Sequence, residues 1–175
     1  MSLSDNRHVQ FEAALALAFL GDGARAQQLA DDLDNRFPED TVAHCNYLPS
    51  TRALLALNNK DSSRAIEILG TAVPCELSSQ SPRLYPAYVR GQAYLAAHQG
   101  REAVVEFQKI LDHSGIVLNE PIAALAHVGL ARASALLGES SKALAQYEEF
   151  FALWKDADSD ISILKRARAE YENLK

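Results

Sequence analysis

Glycine and proline are scarce in this sequence, at 8 and 6 of 175 residues. That excludes collagen-like and low-complexity architectures and favours long helices over folds needing a turn every few residues. Long apolar runs are missing as well: none approaches the roughly 20 residues that cross a bilayer. The start, Met1-Ser2-Leu3-Ser4, has neither the basic region nor the apolar run of a signal peptide. There is no excess of positive charge, because 17 Lys and Arg are dispersed among 23 Asp and Glu for a formal net charge of −6. A phosphate-binding surface needs clustered cations, so nucleic acid is not an expected partner. The one basic run, Lys165-Arg166-Ala167-Arg168, lies beside Glu170 and Glu172 and reads as a solvated helix face. Cysteine is nearly absent. Cys45 and Cys75, 30 residues apart, show neither a zinc spacing nor a multi-bridge framework, and are expected to be buried, inert thiols.

Catalytic constellations are missing too. No pair among His8, His44, His98, His113 and His127 has the i, i+4 spacing of a helical zinc site. There is no Gly-x-Ser-x-Gly elbow and no phosphate-binding loop. The paired acids Asp31-Asp32 and Glu148-Glu149 fall on polar helix faces, where solvation is the ordinary role. The expectation is a non-enzyme without metal or cofactor.

What is present is a repeat. Each of four segments has a small residue (Ala14, Ala53, Gly91, Ala131) followed twelve positions later by an alanine (Ala26, Ala65, Ala103, Ala143). Those alanines are separated by 39, 38 and 40 residues. Antiparallel helices joined by a short turn approach closely only where the facing side chains are small. Larger residues continue the same face four and seven positions on: Ala30 and Leu33, Leu69 and Ala72, Phe107 and Ile110, Tyr147 and Phe150. That is the stripe of an amphipathic helix. Turn signals sit between the two helices of each pair, with Asp22 and Asp61 as N-caps and Gly21, Gly100 and Gly138 suited to a left-handed C-terminal residue.

The pattern predicts helix pairs over 4–38, 40–74, 82–113 and 119–155, the second with a first helix kinked at Pro49, and a capping helix over 158–174. Longer breaks at Phe37–Asp40, Val73–Pro82 and His113–Pro121 read as loops. Asp158 or Ser159 would cap the last helix, whose stripe is Ile161, Leu164, Ala167, Tyr171 and Leu174. The first helix is apolar on nearly all sides (Val9, Phe11, Leu15, Phe19, Leu20), so it expects cover from two directions.

This arrangement resembles the tetratricopeptide repeat (TPR): a small residue and then an aromatic in the first helix, alanine and then an aromatic in the second, and a closing proline. The third segment matches best, through Gly91, Tyr94, Ala103 and Phe107. The stretches 84–121 and 151–160 also resemble the C-terminal repeat regions of bacterial, particularly acidobacterial, serine/threonine protein kinases, although no kinase lobe is present. The resemblance implies an all-α, right-handed α-α superhelix of four helix pairs plus the capping helix. It also implies that the first helix of each pair lines a concave groove.

Carried over position by position, the groove would hold His8, Phe11, Leu15, Ala18 and Phe19; Tyr47, Ser50, Leu54, Leu57 and Asn58; Tyr85, Tyr88, Gln92, Leu95 and Ala96; Leu125, Val128, Arg132, Ala135 and Leu136. Tyr47, Asn58, Tyr85, Tyr88, Gln92 and Arg132 are the candidate peptide-binding residues, because aromatics supply contact area at low entropic cost while amides and arginine orient a backbone. The clamp pairs of relatives that bind chaperone tails are not reproduced by Phe11/Leu15, Ser50/Leu54, Tyr88/Gln92 or Val128/Arg132. The expected partner is a protein or peptide. The rival expectations are a homodimer through the apolar first helix and, from a different class, an all-α enzyme or small-molecule sensor.

Overall fold

The computed structural model describes residues 6–77 and 83–175. The expected starts of the first and third pairs, at 4 and 82, lie outside those residues. Among the described residues there are ten α-helices and no strand: α1 (Arg7–Phe19), α2 (Gly23–Arg36), α3 (Leu48–Asn58), α4 (Ser62–Gly70), α5 (Tyr85–Ala96), α6 (Gly100–Asp112), α7 (Ser114–Val117), α8 (Ile122–Leu136), α9 (Ser140–Leu153) and α10 (Ser162–Glu172). Four antiparallel pairs form, α1/α2, α3/α4, α5/α6 and α8/α9, and each second helix of the first three pairs packs onto the first helix of the next. The first helices also touch one another in the order α1, α3, α5, α8, whereas the second helices of successive pairs do not meet as extensively. A double layer held closer on one side bends toward that side, so the layer of first helices is the inner one. No helix is long and apolar enough to cross a membrane among the described residues.

The four turns are built alike. The N–H groups of Asp22, Asp61, Gln99 and Glu139 reach back to the carbonyls of Leu17, Ala56, Tyr94 and Ser134, each at 2.9 Å. The residues just before them bond to Ala18, Leu57, Leu95 and Ala135, which completes a Schellman motif each time. That motif needs one left-handed residue. Gly21 and Gly138 supply it, and so, against steric preference, do Lys60 and His98. Gly100, expected in that role, instead opens α6 at a close helix contact, where an added Cβ would lie 3.0 Å from Leu137 Cγ and 3.2 Å from the Ala133 carbonyl. Asp22 and Asp61 accept from the N–H groups of Arg25 and Arg64 as N-caps. The four recurring alanines then donate to the carbonyls of the cap residues and are wholly buried.

All eight residues of the second-helix stripes are buried. Phe107 shows how the small residues act: its ring lies between Gly91 and Gly129, where a Cβ would come within 2.7 Å and 2.6 Å of ring carbons. Gly129, which the repeat register passed over, therefore matters as much as Gly91.

Three details depart from the sequence reading. The helix expected to kink at Pro49 runs unbroken from 41 to 58, and its irregularity is a π-helical turn at Ala43–Tyr47, just before the proline. Proline has no N–H to offer, and the wider turn absorbs the missing bond while Ser50 Oγ donates to the Asn46 carbonyl at 2.7 Å. The loop after α6 contains the short helix α7. α10 begins at Ser162 without a side-chain cap, because Asp158 instead accepts from the Asp160 N–H at 3.0 Å.

The expectation of two separate thiols is corrected. Cys45 and Cys75 form a disulfide, their Cα atoms 6.1 Å apart. Cys45 lies in the π turn, and Cys75 lies in the segment that follows α4. The neighbouring Glu76, 2% exposed, accepts two bonds from Arg90 Nη2 at 2.9 and 3.0 Å, and Lys109 reaches it at 2.6 Å. Glu106 binds the same Arg90 and Lys109 at 2.6 and 3.1 Å. Two cations and two anions thus neutralise one another between the second and third pairs, and Arg90 also donates to the Leu69 carbonyl at 3.0 Å. A buried set of this kind holds only if every charge is matched.

Candidate functional site

The inner layer brings its side chains together in two contrasting zones. Toward the N-terminal end, Tyr47 stacks on Phe11 with ring centroids 4.1 Å apart, and its hydroxyl lies in a hydrogen bond with His8 Nδ1 at 3.0 Å. Burial raises the Tyr47 phenol above its ordinary range despite nearby Arg7 and Arg83. Tyr85 meets Phe11 edge-on and donates to Glu120 at 2.8 Å, so burial together with that bond pushes its phenol far up. Arg83 spans Glu12 at 2.9 Å and Glu120 at 2.8 Å. Phe11, Leu15, Phe19, Arg83, Tyr85 and Glu120 line a cavity of about 300 Å³. Asn58 holds neighbouring pairs together instead. Its amide donates to the Ala18 carbonyl at 2.7 Å, tying the end of α3 to the end of α1.

Toward the C-terminal end, Tyr88 packs edge-on to Phe107 and beside Phe19. Burial raises its phenol, opposed by the charges of Arg132 and Arg166 and by Gln92 one turn along the same helix. Arg132 binds both oxygens of Glu170 on α10, at 2.9 and 3.0 Å, and the Tyr147 hydroxyl donates to the same carboxylate at 2.6 Å. Partial burial pushes the Glu170 carboxyl upward, but the bonds from Arg132 and Tyr147 prevail and hold it below the usual range. The same contact, added to burial, raises Tyr147 strongly. Val128 is covered as well: it is 1% exposed and clusters with Leu164 and Ala167 of α10. Glu170 is therefore half-buried, on the side of α10 that faces Arg132. A carboxylate three positions after the stripe residue Ala167 was the sequence signal for it.

Two open spaces flank α10. Leu95, Arg132, Ala135, Leu136, Tyr147, Glu170, Asn173 and Leu174 border one of about 500 Å³. The other, about 310 Å³, runs from Phe19 at the end of α1 past Tyr85, Tyr88, Ile122 and Leu125 to Trp154, Ile163 and Arg166. Of the six candidate residues, Tyr85, Tyr88 and Arg132 thus line cavities of the inner layer. Tyr47 and Asn58 are engaged in contacts between neighbouring pairs, and Gln92 is half-buried beside Tyr88. Sequence reasoning passed over Trp154, Ile163 and Arg166, because their part in the inner face depends on where α10 docks. No group of three or more His, Cys, Asp or Glu is arranged to hold a metal ion among the described residues.

Two solved structures share this arrangement. One is a protein of Podosopora anserina described as a kinesin light chain with nearly identical TPR-like repeats; it is 18% identical, with a TM-score of 0.63 over 98% of this chain and 87% of that one. A single-substitution form of it gives 19% identity and a TM-score of 0.64 over 95% and 84% of the two chains. The fold is a TPR-like solenoid. No protein-family model and no curated protein matches the chain in sequence.

Proposed function

We propose that this chain is a non-catalytic interaction module that holds a peptide segment along its inner layer. The observation that carries the reading is the row of cavities bordered by side chains from α1, α5, α8 and α10, with Phe19 left 47% exposed between two of them. A large aromatic retained at the mouth of two adjoining hollows is the kind of anchor that partner segments cover. α10 covers Val128 and engages Arg132 through Glu170, so it separates the stretch from α1 to Arg166 from a second open space beside Arg132 and Leu136. The resemblance of residues 84–121 to the repeat regions of bacterial kinases supports a place in a signalling protein.

The test is selection from a random peptide library on the intact chain. Enrichment is expected on the parent protein and its loss on Phe19→Asp, with the helical circular dichroism unchanged. Equal enrichment on both would overturn the assignment. A second reading, self-association, is supported by Leu20, 82% exposed beside Phe19 and Val9 on the outermost pair. Sedimentation of the parent and Leu20→Asp chains tests it: a monomer at every concentration removes it.

A further inference from the structure

Arg166 stands apart from the other cations that border cavities. Arg83 is bound between Glu12 and Glu120, Arg132 by Glu170, Arg52 by Asp34 and Arg64 by Glu67. Arg166 lies at the cleft of about 310 Å³, exposed, and forms no ion pair among the described residues. Glu170, one turn along the same helix, already has its oxygens engaged by Arg132 and Tyr147. The other residues bordering that cleft are apolar or aromatic: Phe19, Tyr88, Leu125, Trp154 and Ile163 among them. Its volume is at the lower end of small-ligand pockets, which suits one anchoring side chain rather than a folded surface.

We infer that this cleft takes a segment of a partner protein presenting a bulky apolar side chain next to a carboxylate. The inference rests on the inner-layer reading above and adds the chemistry of the partner. The apolar group enters between Tyr88, Leu125 and Trp154, and the carboxylate pairs with the Arg166 guanidinium, whose planar fork matches two carboxylate oxygens. Charge favours this register. The chain carries a net charge of −6, so most of its surface repels an acidic segment, whereas the residues bordering the cleft include one cation and no anion. A lysine or arginine on the partner would have to be buried beside Arg166 at the cost of like-charge repulsion.

The experiment uses the intact chain and its own reporter, since Trp154 is the sole tryptophan. Four peptides in a Gly/Ser frame carry Phe-Glu, Phe-Gln, Phe-Lys or Ala-Glu at their centre, and titrations follow Trp154 emission. The Phe-Glu peptide is expected to bind about tenfold more tightly than Phe-Gln, the ratio of one charge-assisted hydrogen bond, and to weaken with added salt. Ala-Glu should bind at least as poorly as Phe-Gln. Arg166→Glu should reverse the preference toward Phe-Lys at a small cost in melting, because the new carboxylate lies one turn from Glu170; Arg166→Gln, which adds no like charge, should make Phe-Glu and Phe-Gln bind equally with melting little changed.

Equal binding of the three Phe peptides, or an unreversed preference in Arg166→Glu, would overturn the acidic chemistry while leaving the interaction module in place. No response of Trp154 to any peptide, with library enrichment still lost in Phe19→Asp, would move the site out of this cleft. Absence of library enrichment as well would remove the module reading itself.

Discussion

Adding one methyl group at Gly129 is the sharpest probe of how this stack is held together. In an isolated helix, Gly→Ala raises stability by roughly 0.5–1 kcal/mol, because alanine loses less backbone entropy on folding. Here the new Cβ would sit 2.6 Å from three carbons of the Phe107 ring. The ring cannot retreat, because a Cβ built on Gly91 lies 2.7–3.0 Å from carbons of the same ring: the backbone of α5 closes the opposite side. Overpacking of a wholly buried ring costs about 1–3 kcal/mol, so after the helix gain a net loss of about 1–2 kcal/mol is expected. For a chain of this size that is a fall of about 3–6 °C in the melting midpoint.

Urea and thermal unfolding of Gly129→Ala, Phe107→Leu and the double variant decide the matter. Phe107→Leu alone should cost about 1–2 kcal/mol, less than full truncation. In its presence Gly129→Ala should become neutral or stabilising, a coupling of about 1–3 kcal/mol. Gly70, whose added Cβ would meet nothing within 4 Å, serves as the control and should gain from alanine. If Gly129→Ala stabilised the chain as Gly70→Ala does, the close approach of α5, α6 and α8 around Phe107 would be refuted.

Arg90→Met should cost about 3–5 kcal/mol in urea unfolding, because Glu76 and Glu106 would face each other with only Lys109 between them; a loss under about 1 kcal/mol, the scale of a surface pair, would contradict that burial. Opening the Cys45–Cys75 link by Cys45→Ala/Cys75→Ala should lower stability by about 3–4 kcal/mol, from the 30-residue loop it closes; two titratable thiols in the native, unreduced chain would refute the link. Glu170 has a folded pKa below its unfolded value, so its contribution is present above the ordinary carboxylate range near about 4.3 and is lost as pH falls through the folded value. Glu170→Gln should therefore flatten the acid limb of stability against pH, and an unchanged limb would show that the Arg132 contact carries no linkage.

Much of the fold was legible because it repeats. Ala26, Ala65, Ala103 and Ala143 marked the same place in four pairs, since close helix packing tolerates only small groups there and the chain must satisfy that condition once per pair. The stripes ending at Leu33, Ala72, Ile110 and Phe150 followed by helical arithmetic alone. Tyr85, Tyr88 and Arg132 could be assigned to the inner layer for the same reason: a position within a repeat specifies a face. The turns were less legible. Their backbone geometry is common to all four, yet His98 holds the left-handed position that Gly100 was expected to mark, and Lys60 holds it in a turn without glycine, because the surrounding hydrogen bonds outweigh a modest local cost.

Local pattern thus determined the helices, their pairing and the small residues between them, because each depends on neighbours a few positions away. The tertiary structure alone decided which distant groups meet. Cys45 joins Cys75, Glu76 and Glu106 share Arg90 and Lys109, and Glu170 covers Arg132 while Arg166 is left facing Tyr88 and Trp154. Those contacts depend on how a π turn reorients one helix and how the last helix docks, and no periodicity encodes a charge's partner across a fold.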